Sequence, residues 1–264
     1  MIKLTIITGP ALRHKFFANT LAERYDILGV VSEAKRPNQS SEVQTEDDLL
    51  KDHFQARDDA EQFYFGNHHG FVVDPDRIFT VPYGGSNSLE TFEWIRQKKP
   101  DYVILFGSSI IKPPLLEYYD KKIINMHLGL SPYYRGSGTN FWPLVNNEPE
   151  CVGATIHLAT LKVDAGSILA QVRPENMTER DNSHDIGCKT IISGAHKMAE
   201  CIGSYDKDKS MPKTQDSSHG RVYKRADFNA QAVEVMKENF QKGMIKTYLD
   251  HKQERDARFP IVEI

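Results

Sequence analysis

Cysteine is scarce in this chain of 264 residues: three occur, at Cys151, Cys188 and Cys201, with no Cys-x-x-Cys spacing and no even number to pair. That pattern offers neither a disulfide framework nor a thiolate metal site, and it fits a reducing, cytoplasmic setting. Long apolar runs are also missing. No stretch approaches the roughly 18–20 residues that a membrane span needs. The opening run to Thr8 is broken by Gly9-Pro10, too early for a secretory signal, and reads as a first buried strand. An excess of positive charge is absent too. The formal net charge is −3, which argues against nucleic-acid binding, whose grip depends on many phosphate contacts. The ten histidines include the neighbours His68 and His69. Adjacent strand residues point to opposite faces, and no His-Glu-x-x-His spacing accompanies them, so no metal site is expected.

What is present reads as an ordinary α/β protein, 39% hydrophobic and 26% charged, long enough for one large domain with a small tail. Residues 2–8 and 27–31 are β-rich. Between them, 11–25 carries Leu12, Phe16, Phe17 and Leu21 at helical spacing, a β-α-β order that favours a parallel sheet. A polar insertion over 34–76 follows, with four basic and eight acidic residues in 34–65. Within it 47–65 reads as an exposed helix, with Leu50, Phe54 and Phe63 on a solvated surface. Strands are expected at 77–82, 101–106, 121–127, 152–158 and 167–172. Helices are expected at 86–98, capped by Ser86 or Asn87, at 113–119 and at 183–203. The implied fold is an open, mostly parallel, Rossmann-like twisted sheet with flanking helices, occupying residues 1–204. A C-terminal extension, 205–264, holds a polar linker over 205–220, one helix over 229–249, and a final segment, 259–262, that returns to the body. With twelve basic and ten acidic residues it is only slightly basic.

Two strand ends carry the chemistry. Asn125 and His127 stand two apart at the end of an apolar run and so share one face of a strand. Asp164, in the turn Val163-Asp164-Ala165-Gly166, follows 37 residues after His127. An amide donor, an imidazole and a carboxylate are the parts that acyl transfer needs. In an open parallel sheet, ligands bind beyond the carboxyl ends of the strands, near the switch in strand order. Residues 107–111 also sit at such an end, so they should face Asn125 and His127 across one cleft.

Five segments extend this pattern: GSSIIKPPLLE (107–117), INMH (124–127), SPYYRG (131–136), GATIH (153–157) and VDAG (163–166). On these, from about residue 77 to 203, the chain resembles the folate-dependent formyltransferases, which include the glycinamide ribonucleotide, methionyl-tRNA and sugar N-formyltransferases. The resemblance implies that Asn125, His127 and Asp164 are catalytic, that N10-formyltetrahydrofolate donates the formyl group, and that a primary amine accepts it. It also implies a pterin pocket built on backbone groups of Ser109, Ile110 and Ile111. The 160–164 loop, with Leu161 and Val163, would close its other side. His157 matches a position in the family pattern and either lines the site or packs on the sheet. Gly129-Leu130-Ser131 departs from the Ser-Leu-Leu that family members often show.

For the acceptor, the loop at Thr8 to His14 has one glycine where glycinamide ribonucleotide enzymes are Gly-rich. Gly9, Arg13 and His14 could still hold a phosphate at a helix start, with Tyr134 and Arg135 on the same substrate. The tail lacks the β-barrel of methionyl-tRNA enzymes. A nucleotide-linked amino sugar is therefore the leading acceptor. A formyltetrahydrofolate hydrolase and a non-catalytic binding module are the alternatives. The oligomeric state is not encoded in any of these features.

Overall fold

The computed structural model describes residues 1–35, 47–162, 164–216 and 220–263. β1 (Lys3–Thr8), α1 (Leu12–Ala22) and β2 (Asp26–Glu33) form the first β-α-β unit. α2 (Asp48–Phe65), β3 (Ile78–Val81), α3 (Leu89–Lys98), β4 (Tyr102–Phe106), α4 (Leu115–Tyr118) and β5 (Ile123–Leu128) follow. After β6 (Tyr134–Gly136) and α5 (Trp142–Val145) come β7 (Ala154–Leu158), β8 (Ile168–Val172) and α6 (Ser183–Lys207). The chain continues through β9 (Arg221–Tyr223), α7 (Ala230–Gln241), α8 (Met244–Asp250) and α9 (Lys252–Ala257).

Seven strands make one sheet in the order β3-β2-β1-β4-β5-β7-β8. The first five run parallel, while β7 and β8 are antiparallel to their neighbours. Strand order turns back between β1 and β4, which opens a crevice at their carboxyl ends. Every residue of β4 is buried, as a strand covered on both faces requires. Alternation sorts the side chains. Ile124 and Met126 join the core under α1 and α6, and Ile123 joins the smaller core with Leu115 of α4. Asn125 and His127 share the Ile123 face, at the end of the strand that the core leaves uncovered.

Several sequence expectations are revised. Ser88, rather than Ser86 or Asn87, caps α3 by accepting from the Thr91 N–H. α6 runs on to Lys207, behind an Asn182/Asp185 capping box. The single helix expected over 229–249 is two, broken at Gly243, whose φ of +79° ends α7. The insertion helix α2 is not a solvated surface helix. Phe63 is exposed, but His53, Ala60, Glu61 and Phe65 are buried, and α2 packs on α1, α6 and α7. Residues 36–46 of that insertion lie outside the described residues. The final segment does return to the body. Gln171 of β8 exchanges hydrogen bonds with Val262, its N–H donating to the carbonyl at 2.7 Å and its Oε1 accepting at 3.1 Å. Lys213 and Ile168 exchange backbone bonds at 2.7 Å each way. Among the described residues, no helix is long and apolar enough to cross a membrane.

Candidate active site

A cleft of about 620 Å³ opens beyond the carboxyl ends of β4 and β5, beside the start of α1. Asn125, His127, His157 and Asp164 form one wall, and residues 107–111 and 136–141 complete the lining. Register explains the wall. Asn125 on β5 lies directly across from His157 on β7, and their Nδ2 and Nε2 are 3.0 Å apart. His157 Nδ1 lies 2.9 Å from the Leu158 carbonyl. With the ring proton there, Nε2 accepts from one Asn125 N–H, and the amide's second N–H is left for the cleft. Asp164 sits in the left-handed region, φ +51°, which Asp tolerates better than most residues. Beside it, Gly166 is required. A Cβ there would lie 1.6 Å from the Leu158 carbonyl oxygen, so only glycine lets this turn fold back onto β7. The turn brings Asp164 Oδ2 to 3.5 Å from His127 Nδ1 and Oδ1 to 3.6 Å from His157 Nε2.

The far side of His127 is set by Thr139, whose Oγ1 is 3.2 Å from Nε2 while its hydroxyl donates to the Leu128 carbonyl. Thr139 comes this close because residue 129 is glycine; a Cβ at Gly129 would stand 2.6 Å from the Thr139 side chain. Burial lowers the pKa of His127, Asp164 opposes that shift, and His157 adds to it. The net result is a neutral imidazole at pH 7. Burial raises the pKa of Asp164, but the two imidazoles that face it, His157 and then His127, outweigh burial and leave it below normal. Asp164 is therefore an anion throughout the neutral range.

The 107–111 stretch of the lining is clamped by side chains outside it. The buried Glu33, at the carboxyl end of β2, accepts from Gly84 N–H at 2.6 Å, Ser86 Oγ at 2.5 Å, Ser109 N–H at 3.2 Å and Ser109 Oγ at 3.1 Å. Asn87 grips the same loop, donating to the Ile110 carbonyl at 2.9 Å and accepting from Lys112 N–H at 2.8 Å.

Residues 24–199 match the formyl transferase family. The chain belongs to that family. A methionyl-tRNA formyltransferase of Bacillus cytotoxicus is 27% identical over 219 residues, 82% of this chain and 62% of the relative. The chain spans only 44% and 62% of the first two curated relatives it matches. Two solved structures share the fold. The phosphoribosylglycinamide formyltransferase of Anaplasma phagocytophilum is 16% identical at TM-score 0.54, over 85% of this chain and 98% of that one. The N-formyltransferase of Helicobacter canadensis, in complex with folinic acid and dTDP-3-aminofucose, is 21% identical at TM-score 0.54, over 87% and 73%.

In this formyl transferase fold, most of the residues singled out from sequence meet at the cleft. Asn125, His127, Asp164, Ser109, Ile110, Ile111, Arg13 and His14 all line it. Leu161 does not; it is 71% exposed. Val163 lies outside the described residues. Tyr134 and Arg135 do not line the cleft. Tyr134 is buried, its hydroxyl bonded to Glu148, Asn146 and Arg221 and its ring stacked on Tyr223. Gly9 lies against His14, where a Cβ would come within 2.8 Å of the ring. Burial, then Arg13 and Lys35, hold the His14 pKa well below normal, so it offers a phosphate no positive charge near pH 7. Arg13 is paired with Glu61. Sequence reasoning missed Thr139, Lys35, Glu33 and Asn87. Glu33 and Lys35 follow a parallel strand's carboxyl end, a position that could have flagged them.

Proposed function

We propose that this chain transfers a formyl group from N10-formyltetrahydrofolate to a primary amine, with Asn125, His127 and Asp164 as the catalytic groups. The observation that carries the reading is the convergence of an amide, a neutral imidazole and a carboxylate on one wall of a cleft, facing a loop of backbone groups. That cleft suits a flat, polar pterin held by main-chain atoms.

The amine nitrogen forms a bond to the formyl carbon, and the carbonyl π electrons move onto oxygen. The second N–H of Asn125 donates to that oxygen, and the single ring N–H of the neutral His127 turns to it from Thr139, a contribution of about 3–4 kcal/mol per well-placed donor. Asp164, through a water, takes the proton that the amine sheds. The electron pair then returns from oxygen, the bond from carbon to N10 breaks, and N10 leaves with its pair and receives that proton. The net change is one formyl group and one proton exchanged between two nitrogens. His157 orients Asn125 and does not touch the reacting atoms. Residues 1–204 would carry this chemistry and 205–264 would complete the acceptor side, the acceptor being a nucleotide-linked amino sugar.

The test is direct. The protein is incubated with N10-formyltetrahydrofolate and a panel of amines: nucleotide-linked amino sugars, glycinamide ribonucleotide and methionyl-tRNA. Mass spectrometry should find a one-formyl gain on an amino sugar. A formyl gain on another panel member would replace that acceptor, and none on any would remove the catalytic reading.

A further inference from the structure

Thr139 is a buried member of the 136–141 lining, and the backbone fixes it from both sides. Ahead of it, β6 pairs in parallel with β9 of the C-terminal extension, and the Ser137 N–H donates to the Tyr223 carbonyl at 2.9 Å. The Tyr223 ring lies parallel to two others, 4.2 Å from Trp142 and 6.1 Å from Tyr134 between ring centres, at 5° to each. Asn146 ties the pairing down by donating to the Tyr134 and Tyr223 hydroxyls at 2.9 and 2.8 Å. Beyond Thr139, the Phe141 and Trp142 N–H groups donate to the Gly138 carbonyl at 2.8 and 3.0 Å. The hydroxyl of Thr139 thus meets His127 from a set position.

Two protons are available at that meeting. A threonine hydroxyl has one to give, and Thr139 gives it to the Leu128 carbonyl. What Oγ1 presents to His127 Nε2, 3.2 Å away, is then a lone pair. The neutral imidazole has one ring proton. On Nε2, that proton fills the contact with Thr139. On Nδ1, it would leave two lone pairs facing each other across 3.2 Å. Charge alone favours Nδ1, because the Asp164 anion lies on that side. Yet Asp164 Oδ2 is 3.5 Å from Nδ1, past the roughly 2.7–3.2 Å of an N–H···O bond. The nearer partner decides where the proton sits.

We infer that Thr139 is a positioning residue for formyl transfer, which holds the ring proton of His127 on Nε2 and keeps Nδ1 bare toward Asp164. The proton that steadies the developing formyl oxygen is thereby kept at a neutral hydroxyl, which yields it more readily than a carboxylate would. Asp164 receives no hydrogen bond from His127 in the resting protein and keeps its charge for the proton of the amine. What the proton does rests on the formyl-transfer reading; where it sits does not. The pairing of β6 with β9 gives the C-terminal extension a share in this arrangement.

NMR of the full chain, labelled with nitrogen-15 in its histidines, reads the place of the proton near pH 7 from the ring nitrogen shifts. The His127 signals are identified by their loss in His127→Ala. The parent ring should carry its proton on Nε2. Thr139→Val keeps the shape and removes the acceptor, so the proton should move largely to Nδ1, toward Asp164. With N10-formyltetrahydrofolate and whichever amine of the panel is formylated, kcat should fall about tenfold in that variant while both KM values hold. Thr139→Ser returns the hydroxyl and should restore both the proton and the rate. A parent ring protonated on Nδ1 overturns the inference without any variant, and the formyl-transfer reading stands if the parent is active. An unmoved proton in Thr139→Val overturns it whatever happens to kcat, and so does a proton that moves while kcat holds. If the proton behaves as described but no amine of the panel is formylated, its placement by Thr139 holds and the formyl-transfer reading falls.

Discussion

The two ring nitrogens of His127 look at different partners, Thr139 Oγ1 at 3.2 Å and Asp164 Oδ2 at 3.5 Å. Its proton affinity therefore depends on a carboxylate that has a task of its own. Asp164→Asn removes the one neighbour that raises the His127 pKa, so the imidazole should titrate lower still, and both values should lie below 6.5. An NMR titration of the His127 ring reads this; a rise in the variant would contradict the assigned contacts. Turnover should fall about 10²- to 10⁴-fold in Asp164→Asn and in His127→Ala, with donor affinity nearly unchanged, because the lost interactions belong to the transition state. The trio was legible in sequence because strand alternation fixes Asn125 and His127 on one face whatever else the fold does. Thr139 was not legible. Its approach depends on the missing Cβ at Gly129, which sequence shows only as a departure from the family pattern.

At the scale of elements, the 107–111 stretch of the cleft is a loop with no regular structure of its own, and its shape is borrowed from Glu33 and Asn87. Glu33 joins three segments, the end of β2, residues 84–86 and Ser109. Glu33→Gln keeps the volume but turns one carboxylate oxygen into a donor, which cannot accept from the hydroxyls and amides it faces. Losing charge-assisted bonds of about 1.5–3 kcal/mol should raise the KM for the folate donor about tenfold or more. The kcat should move little, since none of these atoms touches the reacting carbon. A fall in kcat with unchanged KM would show that Glu33 acts elsewhere. Elements as such were read well from periodicity, but their partners were not. Short apolar runs such as β7 and β8 do not encode strand direction. Three-residue β6 and β9, which pair in parallel, leave no periodic trace. The mixed charges of α2 concealed how much of it is covered by α1, α6 and α7.

Across the whole molecule, several histidines are held below their ordinary pKa by burial. His53 is lowered to about 3 by burial, then by His184, Arg57 and Lys237, and His184 to about 4 by burial and then Arg57. His14 and His127 shift the same way. The unfolded chain takes these protons near pH 6.5, before the folded one does, so their stability is fully present above 6.5. It is lost as pH falls through 6.5 toward the folded values. The loss approaches about 1.4 kcal/mol per pH unit for each such group. The melting temperature should drop steadily between pH 7 and 5, above the range where Asp164 and the other low-pKa carboxylates titrate. His53→Phe, which keeps a ring against Phe228 without a titrating nitrogen, should flatten that slope; a pH-independent melting curve for the parent protein would rule the explanation out. The final strand has a consequence of a different kind. β8 is the last strand of the sheet, and its outer rim would be an open template for another chain were Val262 and Lys213 not bonded to Gln171 and Ile168. The C-terminal return acts as a guard against self-association. A chain cut after Arg258 should keep its cleft, yet elute as concentration-dependent oligomers in size-exclusion chromatography, joined through the bared rim of β8.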